Sequence, residues 1–489
     1  MNSHLHLPWL ELSIACPIIA AIVCWRVKSE SLARNVALIS CLLTFLLTFG
    51  ELFDFMTLGT FSAQDSNSLV FLVLGAEYFV IDELTAPLLF RVSLVFGLTI
   101  AATMRSKARR FSVVRTLLAE AIILAILSCT STVLLCSLLA VSTILPWYEM
   151  RSRGHDTRVF SLCMSLHLGL MFGGIGLLWL GQDGAILANL AACLLVLSAM
   201  LRAGIFPGHF WIVDLFEKCT FGTAILYVAP MTGAYFVMRL VLPVVPIWAL
   251  HGIAVLSLST ALYAAAMALV QSEARRFFAY LFISQSSLVL AGLELANPIG
   301  MTGALCIWLE IGLSLGGLAL TLRAVESRIG RISLEHYNGL FDQMPHLGSL
   351  FLFTGLVSVG FPGGLSFVGM ELLIEGTVEV SPLVGAIVVL ATVLNGVAVL
   401  RAYFRIFTGT RHIATVSIAA RPTERFVTVT LSLLILAIGI WPSAAIHSRY
   451  HASESLLKLR KETGIDNKSE SSQPTSTSTL DEPQKPASH

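Results

Sequence analysis

The residues best placed to do chemistry lie where an apolar helical stretch is interrupted by Phe-Pro-Gly at positions 206–208. Arg202 stands just before this tripeptide, and His209 and Asp214 follow it, while the flanking residues are mostly Leu, Ala, Val and Ile. A proline removes a backbone donor and a glycine loosens the turn, so the helix should break here. Ionisable groups at bilayer depth are costly, which makes them candidates for binding or moving ions.

The same tripeptide recurs at positions 361–363, inside the apolar run 347–374, and Glu371 and Glu375 follow it. Their spacing of four residues places both carboxylates on one face of the predicted helix. Two interrupted helices in corresponding places are typical of a transporter's binding site. Glu375 could equally approach the outer surface of the membrane.

Single ionisable residues elsewhere are further candidates, and each has a purely structural alternative. Glu310 stands alone in the middle of an apolar run, and no structural role accounts for it. Glu120 fits either an ion pathway or the membrane edge. Arg202 could instead bond carbonyls freed by the break, and His209 could relay protons or simply bond such a carbonyl. Arg275 and Arg276 form a basic pair that could act in the pathway or only set the topology.

The composition indicates an integral membrane protein. Of the 489 residues, 56% are hydrophobic and 12% charged, against roughly 25% charged in soluble domains. The nine cysteines lack metal-ligand spacing and are interpreted as small core residues. Because no nucleotide-binding or redox-centre motif stands in a plausible context, we expect no cofactor and no metal. The expected surroundings are the lipid bilayer, with no nucleic-acid partner.

Hydrophobic runs predict an all-α polytopic fold of about 14 transmembrane helices, since each span needs about 20 apolar residues. The first run, 7–27, is interpreted as a span and not as a cleaved signal peptide. Lys and Arg cluster in alternate loops, which predicts that both termini lie outside the cytoplasm, in a bacterial inner membrane. The predicted runs are 7–27, 34–56, 83–104, 113–130, 132–149, 159–181, 184–205, 221–246, 249–270, 277–296, 299–323, 347–375, 381–407 and 426–447.

The two tripeptides suggest an internal repeat. They fall in the seventh and twelfth runs, and an offset of five spans would place two homologous units in opposite membrane orientations. The second unit could also begin at the ninth helix. The predicted division is 1–112 for three N-terminal helices, 113–246 for the first five-helix repeat, 247–276 for helix nine and a connection, 277–408 for the second repeat, 409–447 for a loop and last helix, and 448–489 for a disordered polar tail.

Several segments together match the sequence pattern of one family of membrane proteins. RAGIFPGHFWIVDLFEKC resembles a broken-helix motif with FPxHxWLPDAH, and MTGAYFVMR resembles the KxGxYGxxR segment that follows it. ALVQSEARRFFAYLFISQSSLVLAG, VGFPGGLSFVGMELLIEG and YFVIDELTAPLLF resemble further segments of the same family. In these segments the chain resembles the antiporter-like membrane subunits of respiratory complex I and of multisubunit sodium/proton antiporters. The resemblance covers most of 75–410 and implies fourteen helices with two inverted five-helix repeats.

The chain departs from the family at its charged positions. The family's lysine of the seventh span aligns with Arg202, and its glutamate of the fifth span aligns with Val141. Met231, Gln285 and Ile311 align with the family's other lysine and two histidines. Arginine does not release a proton at physiological pH, so the family's own proton path is in question here. Glu120 could supply the carboxylate that is absent at position 141.

Three functions are compatible with these residues. The first is a proton- or sodium-translocating subunit of an NADH-quinone oxidoreductase-type or antiporter complex, in which Glu120, Glu310 and Glu371 act around Arg202; any oxidoreductase activity would belong to the complex. The second is a membrane coupling subunit for energy-driven uptake of inorganic carbon with a zinc protein partner, because ELLIEG resembles a variant motif of such relatives. The third is a scaffold that no longer conducts.

Overall fold

The computed structural model describes residues 3–66, 68, 78–103, 111–180, 185–410 and 421–462. Within these ranges the chain is a helical bundle with one small sheet. The helices are α1 Trp9–Arg26, α2 Glu30–Leu58, α3 Ala86–Ala101, α4 Val113–Ser128, α5 Thr132–Ser152, α6 Arg158–Leu180, α7 Ala185–Ala203, α8 Phe210–Lys218, α9 Phe221–Val228, α10 Thr232–Phe236, α11 Ile247–Val270, α12 Ala274–Glu294, α13 Pro298–Ile329, α14 Pro345–Ser358, α15 Leu365–Val380, α16 Pro382–Phe407, α17 Pro422–Ile440 and α18 Ser443–Glu462.

The sheet lies at one end of the bundle and has three short strands. Strand β1 (Ser3–His4) pairs in parallel with β2 (Ser62–Gln64), which pairs antiparallel with β3 (Val80–Asp82). The sheet joins the start of the chain to the connection between α2 and α3, so the N-terminal end of the described chain is fixed against the bundle.

The described helices confirm an all-α polytopic membrane protein. Eleven of them, counting Phe221–Val241 as one segment, are long and apolar enough to cross a bilayer. The most apolar stretches of α12 and α13 are fully buried, whereas those of α2 and α16 are only one-third buried. The centre of the bundle is therefore α12 and α13 together with the segment Phe221–Val241, whose most apolar stretch is 94% buried, while helices such as α2 and α16 direct apolar side chains outward.

Both Phe-Pro-Gly tripeptides interrupt a helix, as predicted. The first lies between Ala203, where α7 ends, and Phe210, where α8 begins; the second lies between Ser358 and Leu365. Gly204 at the first break has φ +75°, and Gly363 at the second has φ +127°. Glycine adopts these left-handed conformations without the steric cost that a Cβ brings.

A third interruption was not predicted, because the run 221–246 was expected to be continuous. Helix α9 ends at Val228 and α10 begins at Thr232, and a π-helical turn, Val237–Val241, continues α10. Pro230 lacks the N–H that a continuous helix needs, and Met231 adopts φ +53°. A lone proline between apolar residues is a weak signal, since membrane helices tolerate proline.

The disordered tail predicted from position 448 was wrong for residues 448–462, which belong to α18. Its two buried arginines attach this polar helix to the bundle. Arg449 donates to the carbonyl oxygens of Glu83 and Leu84, and Arg460 donates to those of Leu242 and Val245 at 2.7 and 2.9 Å. These bonds satisfy carbonyls at the ends of other elements. Residues 463–489 of the predicted tail lie outside the described ranges.

Candidate functional site

Arg202 lies at the last turn of α7, where it is buried and only 3% exposed. Its guanidinium donates to the hydroxyl of Tyr227 and, at 2.7 Å, to Thr232 Oγ1. It also lies 4.4 Å from the centroid of the Tyr227 ring and 5.7 Å from that of Trp211. The Arg202 side chain thus connects the break after α7 to the break between α9 and α10. Neither of its hydroxyl partners, Tyr227 and Thr232, was predicted from the sequence.

The backbone at the first break is satisfied from two sides. The Phe206 N–H donates to Thr260 Oγ1 of α11 at 3.1 Å, and the Trp211 indole N–H donates to the Leu201 carbonyl at 2.8 Å. Unpaired backbone groups cost several kcal/mol in a membrane interior. These bonds hold the break open without using Arg202, which leaves the guanidinium available for other contacts.

His209 lies at the same break but faces aromatic rings. Its ring centroid is 5.4 Å from that of Tyr263 and 5.9 Å from that of Phe206. The side chain is fully buried, and neither ring nitrogen has a hydrogen-bond partner in the described chain. The carbonyl contact considered for His209 is therefore not formed, and a relay role for this histidine stays a prediction.

Glu149 is a functional candidate that sequence reasoning missed. Its carboxylate accepts from the Thr220 N–H at 2.9 Å and from Thr223 Oγ1 at 2.6 Å, at the N-terminus of α9. Arg153 lies 3.2 Å from the same carboxylate, which is buried. In the sequence Glu149 stands among Arg151 and Arg153 at the end of a predicted span, a position typical of an ordinary membrane-edge residue.

Three cavities lie along the elements between Glu149 and Arg202. A cavity of about 330 Å³ is lined by Arg153, Thr220 and several further arginines. A second, of about 30 Å³, is lined by Glu149, Thr223, Ser142 and Tyr227. A third, of about 20 Å³, shares Tyr227 and is lined by Arg202, Thr232 and Ser286. We call this series the polar line. The basic face of the bundle, where the line begins, is defined by Arg153, Arg275, Arg323 and Arg331.

Glu310 lies at the second break. It is fully buried in α13, and the backbone N–H of Leu365, the first residue of α15, lies within hydrogen-bonding reach of its carboxylate. A Cβ placed on Gly364 would come within 3.3 Å of Glu310 Oε1, so the carboxylate lies directly against the start of α15. Glu310, which the sequence showed as a lone carboxylate in an apolar run, thus lies against the second break, and its role in an ion pathway stays a prediction.

Glu120 is also buried, but it faces the N-terminal helices. One of its oxygens accepts from Cys41 Sγ of α2 at 3.4 Å, and the other has no partner in the described chain. The described contacts of Arg202 include neither Glu120 nor any other carboxylate. The structure therefore does not bring Glu120 to the place of the missing fifth-span carboxylate, because α4 packs against α1 and α2.

The remaining predicted residues lie at the periphery. Glu371 and Glu375 are on the exposed face of α15. Arg275 forms an ion pair of 2.6 Å with Glu326 and donates to carbonyls at the C-terminal end of α8, while Arg276 pairs with Glu217. Both arginines thus tie the start of α12 to neighbouring elements on the basic face. The structure does not bring these four residues into contact with Arg202 or Glu310.

Arg91 is a second buried residue that the sequence did not single out. It is 2% exposed in α3, and it donates to the carbonyl oxygens of Trp308 in α13 and of Ala229 at the third break. A Cβ on Gly312 would lie 2.8 Å from Arg91 atoms, so this glycine makes room for the side chain. Arg91 thereby holds the third break against the central helix.

Comparison with known proteins agrees with this arrangement. The family described as "NADH:quinone oxidoreductase/Mrp antiporter, TM" matches residues 157–395. Respiratory complex I from Thermus thermophilus contains a chain of the same fold, with a TM-score of 0.80 at 20% identity, covering 92% of this chain and 99% of that one. The chain belongs to the antiporter-like membrane subunit family.

Two further relatives show the extent of the likeness. NADH-ubiquinone oxidoreductase chain 4 of Chondrus crispus is 26% identical over 54% of this antiporter-like subunit and 56% of its own length. The F(420)H(2) dehydrogenase subunit M of Methanosarcina mazei is 24% identical over 94% of this chain and 100% of its own. The chain spans about half the length of most of the curated relatives named NADH-quinone or NADH-ubiquinone oxidoreductase.

A subunit of the Mrp complex from Dietzia sp. DQ12-45-1b has the same fold, with a TM-score of 0.78 at 18% identity, covering 93% of this chain and 98% of that one. The antiporter-like fold is therefore shared with members of two different kinds of membrane complex. This likeness concerns the fold alone, so the roles of the charged residues are inferred from their contacts in this chain.

Proposed function

We propose that this antiporter-like subunit carries protons from its basic face to the middle of the bundle along the polar line. The observation that supports the proposal is this series of cavities: Glu149 of the second cavity pairs with Arg153 of the first, and Tyr227 lines both the second and the third. A cavity needs about 10–15 Å³ to hold one water. The two inner cavities therefore suit single waters, which can pass a proton between hydrogen-bonding neighbours.

Glu149 and Arg202 have different tasks in this proposal. Glu149 is the proposed entry group, because it lines the second cavity and lies 3.2 Å from Arg153, which lines the large one. Arg202 stays charged and acts as a fixed cation that orients Tyr227 and Thr232. Its positive charge also repels cations at the inner end of the polar line. A change in the charges around Arg202 would therefore change the rate of proton transfer.

Glu310 is the proposed acceptor in the second half of the bundle. Ser286 of α12 lines the cavity of Arg202, and the next helix in the chain, α13, holds Glu310 against the second break. Gln285 lies beside Ser286 in sequence, is buried, and has no partner for its amide atoms in the described chain. These side chains provide polar atoms between the two breaks, and waters between them would complete the route.

The names of the relatives support a subunit role. They are subunits of NADH-quinone oxidoreductases, of an F(420)H(2) dehydrogenase and of an Mrp complex. We propose that this chain likewise works with other membrane subunits, which supply the energy for transport. Sodium in place of protons, and a scaffold without conduction, remain the alternatives, and the following experiment separates them.

The experiment measures ion flux in proteoliposomes that contain the complex co-purified with the tagged chain. Tyr227→Phe removes one hydroxyl from the polar line, and Glu149→Gln removes the ionisable group at its entrance. We expect both to lower proton flux by roughly tenfold or more, as loss of a proton-relay group does elsewhere. Glu335→Gln, which changes an exposed carboxylate, is the matched control.

Co-purification of the partner subunits shows whether each variant still assembles. Unchanged proton flux in assembled Tyr227→Phe and Glu149→Gln would contradict the polar line. Flux that follows a sodium gradient, with no proton movement, would show that the transported ion is sodium and not the proton. Absence of flux in the assembled wild-type complex would favour the scaffold.

A further inference from the structure

Arg202 is a buried cation without an ionic partner. In the described chain no carboxylate lies within ion-pair distance of its guanidinium, and its Nε has no hydrogen-bond acceptor. Its contacts are two hydroxyls, the Met164 sulfur and two aromatic rings. Cation–π contacts attract the charge but do not neutralise it, and an unneutralised charge in a low-dielectric interior is costly.

The other buried arginines are satisfied differently. Arg91 and Arg449 each donate to two backbone carbonyls, and Arg323 donates to the Thr99 carbonyl and to Thr103 Oγ1. A carbonyl oxygen carries a substantial negative partial charge and is a strong hydrogen-bond acceptor. Arg202 has no carbonyl among these described contacts, so it differs from the others in lacking any strong acceptor.

The cavity beside Arg202 has the size and the lining of a small anion site. Its volume is about 20 Å³, and the polar residues in its lining are Arg202, Trp211, Tyr227, Thr232 and Ser286. Arg202, Thr232 and Ser286 are each only 3% exposed. Thr232 Oγ1 accepts from the guanidinium, so its own O–H remains available to donate. The cavity has room for one small anion, such as a monatomic halide.

We propose that a single chloride ion binds in this cavity, held by the Arg202 guanidinium and the Thr232 hydroxyl. The ion supplies the negative charge that an acidic side chain would otherwise supply beside a buried base. In the chloride-bound state the ion takes the place of the water that the proposed proton path uses in this cavity, so the two occupants exclude each other. The binding test below does not depend on conduction.

The test is chloride-dependent stability of the purified full-length chain in nanodiscs. Sodium chloride replaces sodium gluconate at constant ionic strength while the thermal unfolding midpoint is measured. Because a ligand that binds only the folded state stabilises it by mass action, chloride should raise the midpoint saturably. Thr232→Val should raise the half-saturating chloride concentration about tenfold, which corresponds to losing one hydrogen bond to a charged group.

Arg202→Gln should abolish the response, whereas Arg449→Gln, which removes a buried guanidinium bonded to backbone carbonyls, should keep it. Line broadening of the ³⁵Cl NMR signal by the wild type and by Thr232→Val reports binding without depending on unfolding. Equal stabilisation by gluconate and chloride, a full response in Arg202→Gln, or identical chloride affinity in Thr232→Val would overturn the proposal. Stronger stabilisation by sodium bicarbonate than by sodium chloride would assign the cavity to a polyatomic anion and would likewise overturn the proposal.

Discussion

Two buried carboxylates of this antiporter-like subunit have opposite surroundings. Glu149 receives hydrogen bonds from Thr220 and Thr223 and an ion pair from Arg153. The described donor closest to the Glu310 carboxylate is the backbone N–H of Leu365. Several hydrogen bonds fix the position of the Glu149 carboxylate, whereas the Glu310 carboxylate has fewer partners to hold it in place. Glu310 is therefore the residue at which we expect the clearest functional effect with the least structural cost.

Glu310→Gln keeps the size of the side chain and removes its ability to ionise. We expect proton flux through the assembled complex to fall by roughly tenfold or more, since a relay carboxyl cannot be replaced by an amide. Thermal stability should stay the same or rise, because the amide oxygen of glutamine can still accept from the Leu365 N–H. The matched variant is Glu371→Gln on the exposed face of α15, for which we expect a smaller effect on flux. A larger loss in Glu371→Gln would assign the pathway to α15 instead.

The sequence allowed us to predict site residues whose type is rare in the interior of the membrane. It did not reveal site residues whose type is common at the membrane surface. Arg202 and Glu310 stood out because a lone charge in an apolar run has few explanations. Glu149 did not, because a glutamate between arginines at the end of a span fits a membrane edge. The exposure of Glu371 depends on the rotation of α15 about its axis, and that rotation is set by packing against α13, which the sequence does not reveal.

At the scale of helices, the contact between α13 and α15 places Glu310 against the second break. A Cβ on Gly303 would lie 2.5 Å from the Leu373 backbone nitrogen, and one on Gly376 would lie 2.3 Å from that of Gly300. Small residues that allow backbones to approach are the usual means of packing membrane helices. The two helices can therefore meet this closely only where glycine is present.

Gly303→Ala should separate α13 from α15, because the nearest atoms belong to backbone and cannot move aside. Overpacking of this kind costs about 1–3 kcal/mol, so we expect a lower thermal unfolding midpoint in nanodiscs. Gly316→Ala in the same helix is the control, since its Cβ would meet Val95 Cγ1 at 3.8 Å, an ordinary contact. That variant should be neutral or slightly stabilising, since alanine favours helix. Equal midpoints for the two variants would contradict the close contact.

The start of α1 is capped from a distant part of the chain, and this cap should depend on pH. Asp65, in the turn after β2, accepts from the backbone N–H groups of Leu10 at 3.2 Å and Glu11 at 2.9 Å. Burial raises the pKa of Asp65 to about 6, although the two backbone hydrogen bonds favour its charged form. Because this pKa exceeds the unfolded value of about 3.9, the folded state binds the proton more tightly.

The stabilisation from protonated Asp65 is therefore complete below about pH 4 and is lost as the pH rises through 6. Its size is about 3 kcal/mol at most, from a shift of roughly two units. Asp65→Asn stays neutral at every pH and can still accept through its amide oxygen. Unfolding midpoints measured from pH 4 to pH 7 should fall more steeply for the wild type than for this variant, and parallel curves would show that Asp65 does not titrate in this range.

Helix ends were predictable where the chain itself carries the breaking residues. The two Phe-Pro-Gly tripeptides end α7 and α14, since proline and glycine act locally. The break at Pro230 and Met231 was missed because it also depends on partners, namely the bonds from Arg91 to Ala229 and from Arg202 to Thr232. Helix α18 was missed for the same reason, since its polar composition suits a helix only once its arginines reach the carbonyls of other elements.

At the scale of the whole molecule, α13 runs from one face of the bundle to the other. It has 32 residues, which at 1.5 Å per residue is about 48 Å, enough to cross the roughly 30 Å hydrocarbon core. Thr302, near its start, lies 3.1 Å from Ser453 of α18, and α18 contacts Glu83 beside the sheet. Arg328, near its end, pairs with Glu424. The sheet and α18 therefore lie at one face, and the basic face lies at the other.

This arrangement predicts that the chain's first strand and last described helix share a side of the membrane, opposite the arginines of the basic face. Because cytoplasmic segments carry the excess of Lys and Arg, the basic face should be cytoplasmic and the sheet external.

An epitope tag before β1 or after α18 should be cut by protease added to right-side-out vesicles, whereas a tag inserted at Gly330 should be cut only after the membrane is opened. Gly330 suits the insertion because it is exposed between α13 and α14. Protection of both terminal tags, with cleavage at Gly330, would reverse the orientation and place the entrance of the polar line outside the cell. Cleavage at only one terminal tag would contradict the shared side itself.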